Sequence, residues 1–128
     1  MNTTATQDQL LTDAQRLIEG FITSRGAFEA FALAKQMDGS ISAVQPAGGA
    51  GFTEVLHTLM RMAQAGEITA VAIGTLAEDG GNKMAIIDVE SKGEGRLLTV
   101  LPFSKRLFGG WKFGPKEQQR QPNKLFGD

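Results

Sequence analysis

Cysteine and tyrosine are missing from this chain, histidine and tryptophan occur once each, and proline appears only four times. Without cysteine there is no disulfide framework and no thiolate metal site. A single imidazole, His57, leaves a transition metal without a second nitrogen ligand, so no metal is expected. No run approaches the roughly 18 apolar residues of a membrane-spanning helix, and none is expected. The start, MNTTATQDQLLTDAQ, lacks the basic and apolar segments of a secretory leader, which makes the cytoplasm the expected location. Catalytic signatures are missing too. Ser40, Ser42, Ser91 and Ser104 stand in no Ser-His-Asp or nucleophile-elbow pattern. The expectation is a chain that is not an enzyme and needs no cofactor.

What is present is the material of one domain. The chain has 128 residues, 41% of them hydrophobic, enough to build a core. Its centre is Glu67–Phe103, three β-prone apolar runs separated by Gly-rich turns at 78–82 and 91–95. The run 68–76 is apolar on both alternating faces, which suits a strand covered on both sides or paired in a homodimer. Pro102 is expected to stop the third strand, since it has no N–H to donate.

Upstream, Thr6-Gln7-Asp8-Gln9 fits a capping box, and Leu10, Leu11, Ala14, Leu17, Ile18 and Phe21 recur at helical spacing. Phe31 and Leu33 alternate with Ala30, Ala32 and Ala34, and Asp38-Gly39 is a hairpin turn leading to Ile41, Ala43 and Val44. A second helix is expected from Phe52 or Thr53, with Phe52, Val55, Leu56, Leu59, Met60 and Ala63 inward and Gly66 as its stop. The fold class is therefore α+β: a mainly antiparallel sheet of about five strands with two helices packed on one face. The order is helix, two strands, helix, three strands, then an aromatic-rich C-terminal tail. Residues 1–115 form the domain, and 116–128 are expected to be a polar, flexible tail.

Three features bear on function. Gly48, Gly49 and Gly51 before Thr53 offer exposed amides at a helix start, the order in which anion and nucleotide sites occur. Neither the G-x-x-x-x-G-K-[ST] nor the G-x-G-x-x-G spacing is present, so a plain connector is the first reading and an anion site the alternative. Asp88 and Glu90 share a strand face and are read as solubilising charges rather than a catalytic pair. Third, the segment beyond Pro102 holds six of the thirteen basic residues but two of the fourteen acidic ones, leaving an acidic body of seven against twelve. Such a tail docks on its own domain or reaches for an acidic partner. Its aromatics favour packing, with Phe108, Trp111, Lys112 and Phe113 as the candidate protein-binding set and a short strand expected at Trp111–Phe113. Single-stranded nucleic acid is the further alternative, and a pI of about 5.8 argues against it.

Phe31-Ala32-Leu33 with Asp38-Gly39, the strand Ala85 to Glu90, and Val100-Leu101-Pro102-Phe103 followed by Phe108-Gly109 resemble, in that order, a group of small bacterial proteins of no assigned function. The chain departs from that pattern at Asp88 and Phe103. The resemblance implies one compact bacterial domain and carries over no catalytic residue. The function expected is binding of another protein, of the adaptor or toxin-neutralising immunity type.

Overall fold

The computed structural model describes residues 4–44 and 52–126. Helix α1 spans Ala5–Arg25 and opens with a capping box two residues earlier than the sequence suggests. Thr4 Oγ1 accepts from the Gln7 amide at 3.2 Å, and Gln7 Oε1 accepts from the Thr4 amide at 3.4 Å. Gln7 is fully buried, and its side-chain amide donates to the Gly95 carbonyl at 3.2 Å. That long-range bond fixes the cap on Gln7 instead of Gln9. Gly26, at φ 74°, closes the helix in the left-handed conformation that glycine adopts without strain.

Strands β1 (Phe31–Gln36) and β2 (Ile41–Val44) form the hairpin expected around Asp38-Gly39. The Asp38 carboxylate holds the turn, accepting from the Ser40 hydroxyl at 2.6 Å and its amide at 2.9 Å. Helix α2 runs Phe52–Gln64. Strands β3 (Ile68–Asp79), β4 (Asn82–Ser91) and β5 (Gly95–Lys105) make the central meander, followed by β6 (Trp111–Phe113) and β7 (Glu117–Gln121).

Every pairing is antiparallel, in the order β2-β1-β3-β4-β5, with β6 and β7 sharing the outer edge of β5. The fold is thus α+β, with seven strands among the described residues where about five were expected. Pro102 does not stop β5. It pairs with Met84, and its carbonyl accepts from the Gly114 amide at 2.8 Å, so its N–H side faces the gap between β6 and β7 where no donor is needed.

The two helices lie on opposite faces, not on one. Phe31, Leu33, Ala70, Ala72, Ala85, Ile87, Val89, Leu97 and Leu101 alternate onto the α1 face, where Leu10, Ala14, Ile18 and Ile22 cover them. Ala32, Ala34 and Val71 point the other way, toward Val55 and Leu59 of α2. The alternation that makes both faces of β3 apolar already calls for two covers. Leu17 and Met60, read from the sequence as inward, stay 40% exposed.

The tail is part of the sheet. Glu117–Gln121 pairs with Val100 to Arg96, and Gln118 donates to the Thr99 hydroxyl at 3.2 Å. Arg120 donates to Gln7 Oε1 at 3.1 Å, tying the strand to the first turn of α1. Beyond it, Leu125 and Phe126 pack into the α2 core. The reading of 116–128 as a flexible polar segment is corrected over its described part.

Candidate functional site

The hairpin joining β5 to β6 concentrates the features that burial leaves over. Its base is fixed by the pairs Phe103–Phe113, Ser104–Lys112 and Lys105–Trp111. Trp111 and Phe113 turn back onto Phe103, with ring centroids 5.9 and 6.3 Å away. Trp111 also lies against Gly26, where an added Cβ would stand 2.8 Å from the indole ring. The turn is closed by the Arg106 amide donating to the Gly110 carbonyl at 3.0 Å. Gly109 and Gly110 make this possible at φ 78° and 76°.

From this anchored base Leu107 and Phe108 project 90% and 94% exposed. Lys105, Arg106 and Lys112 flank them, and Lys83 lies one strand away opposite Phe103. Beside the hairpin a hollow of about 490 Å³ is lined by Asn82, Lys83, Pro102, Ser104, Trp111 and Lys112 among others. Glu78 and Asp79 cap the far side of this end of the sheet, opposite Lys83 and Asn82, so the surface is basic without being uniformly so.

The structure therefore divides the candidate protein-binding set. Phe108 and Lys112 are exposed, whereas Trp111 and Phe113 are half-buried and serve as the anchor. Of the candidate anion site, Gly48, Gly49 and Gly51 lie outside the described residues. Thr53 is exposed in the first turn of α2, next to Glu54, whose charge disfavours an anion there. His57 stands exposed on the outer surface of α2. Among the described residues no group of three His, Cys, Asp or Glu side chains gathers in the manner of a metal site.

Asp88 and Glu90 do share a face, but solubilising charges they are not. Asp88 accepts from Arg96 at 2.7 Å, and Glu90 is only 2% exposed, its carboxylate occupied by backbone N–H groups of residues 124–126. Sequence reasoning missed this. The available signal is position: Glu90 stands opposite Val71, and both Val71 and its partner on the next strand, Ala34, are fully buried.

The site and fold define an α+β protein with a basic, apolar-tipped hairpin at one end of an antiparallel sheet. Compared with models of known protein families, with curated proteins and with solved structures, the chain matches none. No helix among the described residues is long and apolar enough to cross a membrane.

Proposed function

We propose that this protein is a non-catalytic module that binds another protein through the β5–β6 hairpin. One observation carries the reading: two large apolar side chains stand nearly fully exposed on a turn whose base is locked into the core. Burying Leu107 and Phe108 in a partner would contribute about 1.5–3 kcal/mol each. A preorganised turn loses little entropy on docking. Lys105, Arg106 and Lys112 favour a partner with an apolar pocket rimmed by carboxylates. An adaptor or toxin-neutralising role suits such a surface.

The test is site-specific photo-crosslinking in host cells from position 108, with exposed Lys92 as the control position. A single adduct from 108, absent from 92, abolished by Leu107→Ser and weakened by salt, is expected. Equal labelling from both positions, or an adduct indifferent to Leu107→Ser, removes the hairpin from the role.

A homodimer is the second reading. Met84, Ile86, Leu98 and Val100 alternate onto the α2 face yet remain half-exposed beside that helix. Sedimentation across a concentration series separates a dimer from a monomer.

A further inference from the structure

Strand β4 carries a carboxylate that the fold hides and the chain then fills. Glu90 receives the backbone N–H groups of three successive residues. The Lys124 amide is shared between Oε1 and Oε2 at 3.0 and 3.1 Å, while Leu125 and Phe126 donate to Oε2 at 2.7 and 2.6 Å. Successive amides converging on one anion form a backbone nest, and bonds to an ionisable oxygen are short ones. Phe126, 5% exposed, lies in the core built by Val55, Leu59 and Val71. Just upstream, Arg96 Nε donates to the Pro122 carbonyl at 3.0 Å. Residues 122–126 thus engage the cleft as a peptide ligand does, with a backbone anchor, an aromatic anchor in an apolar pocket and a flanking polar contact.

The receptor half of this arrangement is built without the strap. Glu90 is placed by ladder pairs with Val71 and Arg96, and the pocket walls come from α2, β1 and β3. Among the described residues, the larger core under α1 contains none beyond Phe113. The sheet and α1 therefore keep their packing when the strap leaves.

We infer that the cleft between α2 and β4 is a peptide-binding site, occupied in cis by Pro122–Phe126 and able to take a separate peptide of the same chemistry in trans. That chemistry is specific: three consecutive free backbone amides, the last belonging to a phenylalanine. A proline or an N-methyl group among the three removes a donor.

The probe is a fluorescein-labelled peptide of sequence PNKLF, titrated into the full chain and into full-length Phe126→Ala and Leu125→Pro variants, with circular dichroism to report the sheet. Both variants weaken the strap and are expected to bind the peptide. The parent chain binds it about 100-fold more weakly, because its own strap leaves only a small fraction of open clefts. Glu90→Ala in the Phe126→Ala background, and the peptide PNKLA, are expected to show no binding. Equal affinity for the parent and the variants places the peptide elsewhere and overturns the inference. So does failure of both open variants to bind while their sheet is intact. Loss of the sheet in both variants overturns it as well, by showing that strap and receptor do not separate.

Discussion

Replacing Gly74 by alanine tests how closely the Phe31 ring packs over β3 beneath α1. A Cβ at this position would stand 2.6 and 2.8 Å from two ring carbons of Phe31 and 3.3 Å from Ile18 Cδ1. Neither neighbour can retreat into solvent, since Phe31 is 2% and Ile18 0% exposed. The backbone offers no relief either, because Gly74 pairs with Phe31 on one side and Ile87 on the other. Forcing a methyl group into a filled core costs about 1–3 kcal/mol. The lower entropy of the unfolded alanine chain offsets about 0.4–1 kcal/mol of this. A net loss of roughly 1–2 kcal/mol is expected, a fall in Tm of about 3–10 °C for a domain of this size.

Gly20 supplies the opposite sign. It is exposed within α1 and has nothing within 4 Å of a built Cβ, so Gly20→Ala should stabilise by about 0.5–1 kcal/mol. Urea unfolding of both variants, together with Gly74→Ala in a Phe31→Leu background, reads the coupling directly. If Gly74→Ala is neutral, or its cost is unchanged by trimming Phe31, then the ring does not limit that site and the reasoning fails.

Further outcomes are expected elsewhere. Glu90→Ala leaves the buried Phe126 amide and the part-buried Lys124 and Leu125 amides without their acceptor and should cost about 1–3 kcal/mol, the range for stranding a buried donor. Hydrogen exchange should show Leu125 and Phe126 losing protection first, and unchanged protection there would contradict the role given to Glu90. Asp38, held below its ordinary pKa by the Ser40 hydroxyl and then the Ser40 amide, adds to hairpin stability above its unfolded pKa. That contribution is lost as pH falls through the lower folded value, so the Ser40 amide resonance should move with the Asp38 titration and stay fixed in Asp38→Ala. Thr4→Ala removes the acceptor for the Gln7 amide and should cost about 1 kcal/mol by thermal unfolding. Phe108→Ser, at a side chain that touches little, should leave stability within about 0.5 kcal/mol while changing any partner affinity.

The sequence shows local order best where one period dominates. Asp38-Gly39 dictates its hairpin because glycine alone tolerates the φ of 92° found there. The alternation through 68–76 and 84–89 sets the meander. The second face was also written there, in Val71 and Ile73 standing back to back with Ala70 and Ala72, and the placement of both helices on one side overlooked it. β7 was illegible for a physical reason. Glu117-Gln118-Gln119-Arg120-Gln121 carries no apolar period, and the strand is held by ladder bonds and by Gln118 and Arg120 reaching Thr99 and Gln7. At the candidate site, composition showed an aromatic, basic segment but could not sort its members. Trp111 and Phe113 face inward because the register pairs them with Lys105 and Phe103, and Phe108 stays outside because it lies in the turn.

The bond from Gln7 to Gly95 spans 88 positions of the chain, and it sets an order of assembly. Adjacent hairpins among β3, β4 and β5 need only short loops to close, while α1 waits for a platform that is complete only once β5 exists. Changes in the 80–81 turn should therefore slow refolding, and trimming Leu10 or Ile18 should chiefly hasten unfolding, as the two limbs of a chevron would register. Until that late docking, the greasy side of α1 travels uncovered, which makes the earliest helix the part of the nascent chain most in need of a chaperone.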